Sequence, residues 1–149
     1  MKKIFGAAIA SLLLAGPSLA LTLEERNVAR FSEAAVAGLL EMDFVHRHQD
    51  IANMDEFFAD RASYEEYAAA LTDSGMPDVV GSKYLIATVK NVSVNTVTPK
   101  VGLADTFLVS GTLTRHFQGS KNANQEQVGF NLELIRNGEE FGVKRLTVN

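Results

Sequence analysis

EMDFVHRHQDIANMDEFFADRASYEEYAAALTDSG, running from Glu41 to Gly75, is the stretch on which the fold turns. An apolar pattern of helical period runs into it. A polar block at His46–Asp50 interrupts that pattern, and a second helical pattern leaves it. After Lys83 the period drops to two, the spacing of a strand. The stretch is therefore the hinge between a helical front half and a strand-forming back half.

Upstream, Thr22-x-x-Glu25 is a capping box, in which the hydroxyl and the carboxylate each take one free backbone N–H. Val28, Phe31, Ala35, Gly38, Met42 and Val45 then recur at three- and four-residue steps, which predicts a helix from Leu23 to Val45. Gly38 on that stripe lets another element approach closely. Within the hinge, Asn53-x-x-Glu56 predicts a short helical turn carrying Met54, Phe57 and Phe58. Ser63-x-x-Glu66 predicts a longer helix that buries Tyr64, Tyr67, Ala68 and Leu71. Gly75 supplies its left-handed end, and Pro77 prevents continuation.

Downstream, Tyr84 to Val97 is rich in Val, Ile, Thr and Tyr and predicts a long strand. Pro99 and Gly102 mark a turn. Phe107, Val109, Gly111, Leu113 and Phe117 alternate with Leu108, Ser110, Thr112, Thr114 and His116, and the first set is expected to face the core, with Gly111 predicting a bend or bulge. Arg115 falls on the inward face, where it must snorkel or pair with an acid. Gln118 to Gln125 reads as a polar loop. Val128, Phe130, Leu132 and Leu134 form the next inward set, Asn137-Gly138 predicts a two-residue hairpin turn, and Phe141 to Val148 closes the sheet. The expected fold is α+β, with N-terminal helices packed on a curved four-stranded antiparallel sheet.

The first twenty residues read as an export signal. Lys2 and Lys3 precede the apolar run Ile4–Ala15, and Ser18-Leu19-Ala20 offers small residues for cleavage between Ala20 and Leu21. The run is too short to span a bilayer without passing through Gly16 and Pro17. The domain is then residues 21–149 and the expected location is the periplasm, or the cell exterior. Cleavage would leave twelve basic against eighteen acidic side chains, a net charge of −6. Such a domain repels nucleic acid and anionic lipid. With no cysteine, disulfides, thiol nucleophiles and zinc–thiolate sites are excluded.

The densest polar cluster is Asp43, His46, Arg47, His48 and Asp50. His46 and His48 would point about 200° apart on a helix, so they cannot chelate together there. The expected role is a solvated helix end, with His46 capping the last carbonyls. His116 lies on the outward face of its strand. Lys144-Arg145 reads as a charged edge that discourages strand-to-strand association. No metal, cofactor or catalytic residue is assigned.

Three passages resemble the DotI/IcmL family of type IVB secretion systems, together with the TraM proteins of related conjugative plasmids. They are MDFVHRHQD (Met42–Asp50), FFADRASYEEYAAALTDSG (Phe57–Gly75) and the Lys83-Tyr84-Leu85 step that follows Val79-Val80. The resemblance spans roughly Arg30 to Val148. It implies a nuclear-transport-factor-two-like cone and a non-enzymatic periplasmic protein–protein interaction module. The implied partners are secretion-system proteins or further copies of the chain. The family carries a cytoplasmic stretch and a transmembrane helix where this chain has its signal-like segment. The expected docking residues are Phe44, Arg47, Phe57, Phe58, Tyr64 and Tyr67. The alternative is a small-ligand binder or pocket enzyme on the same cone-shaped fold.

Overall fold

The computed structural model describes residues 21–119 and 123–149. The signal-like segment lies outside the described residues. The chain runs α1 (Leu23–Leu40), β1 (Met42–Asp43), α2 (Arg47–Asn53), a 3-10 turn (Met54–Phe57), α3 (Arg61–Asp73) and α4 (Met76–Ser82). It continues as β2 (Ile86–Pro99), β3 (Thr106–Gln118), β4 (Ala123–Asn137) and β5 (Glu140–Val148). The architecture is α+β. Among the described residues there are five strands rather than four, all antiparallel, in the order β1-β2-β3-β4-β5. The sheet is open, with β1 and β5 at its edges. No helix among the described residues is long and apolar enough to cross a membrane.

α1 begins as its capping box dictates. Thr22 Oγ1 accepts from the Glu25 N–H at 3.1 Å, and Glu25 accepts from the Thr22 N–H at 2.9 Å. It ends five residues before the expected Val45. Met42 leaves the helical stripe and pairs with Ala87 as an extended residue, which still buries its side chain in the core. Val45 is thereby turned out to solvent. Val28, Ala35, Val36 and Leu39 form the buried stripe of α1, packed chiefly over β2. Gly38 on its flank meets Phe57: a Cβ there would lie 2.4 Å from the ring.

The hinge is more segmented than its periodicity implies. Asn53 makes no side-chain cap; it ends α2, and the 3-10 turn follows without a break. α3 is capped by Asp60, not Ser63, with Asp60 accepting from the Ser63 N–H at 2.8 Å. Gly75 takes the left-handed conformation at φ 78°. Pro77 does not end helical structure. It sits in the first turn of α4, where its missing N–H costs nothing.

In the sheet, Phe107, Val109, Gly111 and Leu113 face the core together with Phe130, Leu132 and Leu134. The irregularity expected at Gly111 lies on its neighbour β2, between Lys90 and Ser93 and between Val94 and Thr96. Gly111 accommodates it, because a Cβ would sit 2.2 Å from the Ser93 carbonyl oxygen. Arg115 does pair with an acid: its Nε donates to Glu126, directly opposite on β4, at 2.8 Å. The 118–125 loop is shorter than expected. Ala123, Asn124 and Gln125 already pair with Gln118, Phe117 and His116, and 120–122 lie outside the described residues. The last hairpin turns on Gly138 and Glu139, between the paired Asn137 and Glu140, one residue later than expected. Only Gly138 has positive φ there, the pattern of a type II′ turn.

Candidate functional site

The Met42–Asp50 passage folds into a tight polar turn between β1 and α2. Asp43 Oδ1 accepts from the N–H groups of Val45 and His46, each at 2.8 Å, and its Oδ2 lies 3.1 Å from His46 Nδ1. Asp50 reaches back to accept from the Asp43 N–H at 3.1 Å. The hydrogen bond from the His46 backbone, reinforced by the His46 ring, holds the Asp43 carboxyl below its usual range. His46 thus stands at the start of α2 and bonds Asp43, rather than capping the end of α1. Among the described residues, no three ligand-type side chains gather as a metal site.

Arg47 is folded inward. Its Nη1 donates to the Phe44 carbonyl at 2.6 Å, and its guanidinium packs so closely under α4 that a Cβ on Gly81 would lie 2.6 Å from Cζ. Its Nε is buried without a hydrogen-bond partner among the described residues. Arg47 thereby ties α2 to α4 and sets the position of Phe44.

The Phe44 ring meets Tyr84 edge-on, with centroids 5.6 Å apart. Tyr84 adopts φ 53°, a left-handed conformation unusual for a bulky residue. Tyr84 is 65% exposed, beside Val45 at 64% and Ile86 at 45%. Ile86 pairs with Asp43 across β1 and β2, so these residues share one corner of the molecule. Val45, Tyr84 and Ile86 were missed by sequence reasoning. Val45 fitted a helical stripe that stops short of it, and Tyr84 and Ile86 fitted a strand. The one available signal was the Lys83-Tyr84-Leu85 passage.

The other expected docking residues build a second cluster. Phe58 contacts Tyr64 and Tyr67, with ring centroids at 5.9 and 5.4 Å. Tyr64 Oη donates to the Ile51 carbonyl at 3.1 Å, joining α3 to α2. Tyr67 Oη donates to the Leu39 carbonyl at 2.7 Å, joining α3 to the end of α1. Burial pushes the Tyr67 phenol well above its ordinary range. Phe57 packs on Gly38 of α1. All six expected residues are half-buried. Phe44 and Arg47 come together at the exposed corner, whereas Phe58, Tyr64 and Tyr67 form a hub around which three helices and β5 meet.

Between α1, β1, the 3-10 turn and β2 lies an open cleft of about 420 Å³, lined in part by Met42, Asp43, Asp50, Met54 and Phe57. Asp43 and Asp50 are both engaged by backbone N–H groups. Glu41 at its margin accepts from the Val89 N–H on β2 at 3.1 Å. Of the four acids that line the cleft, Glu41, Asp43 and Asp50 therefore serve the backbone, and Glu56 is exposed at its mouth.

No family model matches the chain, and no curated protein matches it. Solved structures do. An IcmL-like type IV secretion system protein from Legionella pneumophila superposes with TM-score 0.72 at 12% identity, over 83% of this chain and 91% of that one. The periplasmic domain of DotI superposes with TM-score 0.71 at 15% identity, over 89% and 98%. A periplasmic fragment of TraM superposes with TM-score 0.67 at 14% identity, over 86% and 98%. The chain has the fold of the IcmL-like protein and of the DotI and TraM periplasmic domains, the same group that its Met42–Asp50 and Phe57–Gly75 passages resemble.

Proposed function

We propose that this chain is a non-enzymatic protein–protein interaction module of, or related to, a type IVB secretion or conjugation apparatus. It is exported to the periplasm by a signal cleaved between Ala20 and Leu21. The observation that carries this reading is agreement in fold, over 83–89% of this chain and nearly the whole of each neighbour, with an IcmL-like type IV secretion system protein and with the periplasmic parts of DotI and TraM. We read the sheet, with α1 packed across it, as the nuclear-transport-factor-two-like cone that the resemblance implies. Its partners are other secretion-system proteins or further copies of itself.

The docking surface is the corner formed by Phe44, Val45, Tyr84 and Ile86. Exposed apolar side chains gathered at one place, rather than scattered singly, mark an association site. The left-handed backbone of Tyr84 supports this reading, because strain of that kind persists where a side chain must be presented. Arg47 positions Phe44, while Phe57, Phe58, Tyr64 and Tyr67 hold the helices that carry the corner.

Mild crosslinking of the tagged protein in its native cell envelope tests the reading, with the intact mass of the bait measured in the same run. The expected result is a chain beginning at Leu21 that retains secretion-channel proteins. A bait that retains none of them overturns the secretion role, and a bait of uncleaved mass overturns the export signal.

A further inference from the structure

The chain already makes one isolated β-bridge on the outer edge of its own sheet. Phe58 forms a parallel bridge with Val143 of β5, and the Ala59 N–H donates to the Val143 carbonyl at 2.9 Å. Asp60 then turns the chain away as the cap of α3. Beyond that point no strand lies beside β5 among the described residues.

The hydrogen-bonding groups left open there can be named. Gly129 and Asn149 exchange both backbone hydrogen bonds, at 3.2 and 3.0 Å. Antiparallel pairs alternate, so Asn131–Thr147 and Glu133–Arg145 are also bonded pairs. Leu146 and Val148 therefore turn their N–H and C=O groups outward. α3 runs alongside, and the groove between measures about 290 Å³. Ser63, Glu66, Tyr67 and Ala70 line its helix side, and Leu146 lies on its strand side beside the basic pair Lys144 and Arg145. At its rim Arg145 is exposed, and its nearest carboxylate, Glu66, is 3.9 Å away, too far for a hydrogen bond.

We infer that this groove receives an extended segment of a partner polypeptide, which joins β5 as a further strand where Ala59 leaves off. Its backbone bonds to Leu146 and Val148, alternate side chains entering the groove are apolar, and a carboxylate meets Arg145. Four extended residues span roughly 13 Å, the length of Arg145 to Val148. The edge is also built against a second copy of the sheet. Lys144 is the extra residue where the β4–β5 register shifts, and it is ion-paired to Asp60 at 2.9 Å. Such a charged bulge interrupts long edge-to-edge pairing and leaves room for a short segment. The inference rests on the interaction-module reading and names where one partner docks.

The test is a titration of the isotope-labelled exported protein, followed by amide NMR, with capped pentapeptides that alternate valine and glutamate. The Leu146 and Val148 amides are expected to shift saturably and to exchange with solvent about tenfold more slowly. Ala70→Arg, which fills the groove from the exposed side of α3, and Arg145→Glu are each expected to weaken binding about tenfold. Peptides methylated on alternate amides are expected not to bind. Absence of a saturable change at Leu146 and Val148 overturns the inference, as does full binding to folded Ala70→Arg protein. Protection of the two amides that appears on concentration without peptide assigns the edge to a second copy and overturns the partner segment. In the cell envelope, a photocrosslinker in place of Tyr84 that captures secretion proteins, with none captured from Ala70, overturns the groove and leaves the module reading standing. Capture from neither position overturns both.

Discussion

The Gly38–Phe57 contact shows how one atom governs helix placement. Alanine at this position would raise helix propensity by about 1 kcal/mol, but its Cβ would strike the Phe57 ring. Overpacking of this kind costs about 1–3 kcal/mol, so Gly38→Ala is expected to be destabilising on balance. Phe57→Leu in the same chain should recover part of the loss, and a double-mutant cycle in urea checks the coupling. Tyr67 acts as a side-chain cap on the last turn of α1, where carbonyls lack helical partners. Tyr67→Phe leaves the Leu39 carbonyl without that donor and is expected to cost about 1–2 kcal/mol, read as a lower urea midpoint with unchanged slope.

Asp60 combines a cap with an ion pair. Its carboxyl is held down from 3.8 to about 2, first by the hydrogen bond from Lys144 and then by the Ser63 backbone. A carboxyl depressed in the folded state contributes its full stabilisation above its unfolded value, and loses it as pH falls through the folded value. Stability should therefore decline between about pH 4 and pH 2. Asp60→Asn retains a capping oxygen without the charge, and is expected to flatten that decline. Urea midpoints across this range provide the check, and an unchanged pH slope would rule Asp60 out as its source.

Among the elements, β5 depends most on its neighbours. On one side it pairs with β4. On the other it is clipped by Phe58–Ala59 and by the Lys144–Asp60 ion pair. Phe58 sits at the centre of this clip, in contact with both tyrosines of α3. Phe58→Ala is expected to cost about 3 kcal/mol, the low end of the range for core aromatics, because the ring is only half-buried. It should also release the Ala59 amide to exchange faster than the β3 and β4 amides. Equal acceleration throughout the sheet would mean that the clip has no local role.

At the scale of the whole molecule, binding and folding separate at Tyr84. Replacement by glycine relieves about 1 kcal/mol of left-handed strain, offset in part by the lost contact with Phe44. Tyr84→Gly is therefore expected to leave the melting temperature within a few degrees of its original value, while reducing recovery of envelope partners. Full recovery with an intact fold would remove Tyr84 from the docking surface.

Local chemistry was legible wherever a residue acts on its near neighbours. The Thr22–Glu25 box sets the start of α1, Gly75 takes its left-handed turn, and the alternation of β3 and β4 assigns their inward residues. Asp60 was hidden because Ser63-x-x-Glu66 is an equally good cap pattern. The choice went to the residue that Lys144 holds from another element. α4 was hidden because a proline closes one helix or opens the next by the same local rule.

The sequence by itself determined the class of this protein: helices before strands, an antiparallel meander, and inward-facing apolar sets on β3 and β4. These follow from periodicity, which is a property of consecutive residues. Only the tertiary structure decided the fifth strand, the end of α1 and the exposed corner. Met42 satisfies helical and extended patterns alike, and its pairing with Ala87, forty-five residues away, made the choice. That pairing turned Val45 outward beside Tyr84 and Ile86. A surface assembled from two segments some forty residues apart exists only once long-range hydrogen bonds and core packing have brought them together.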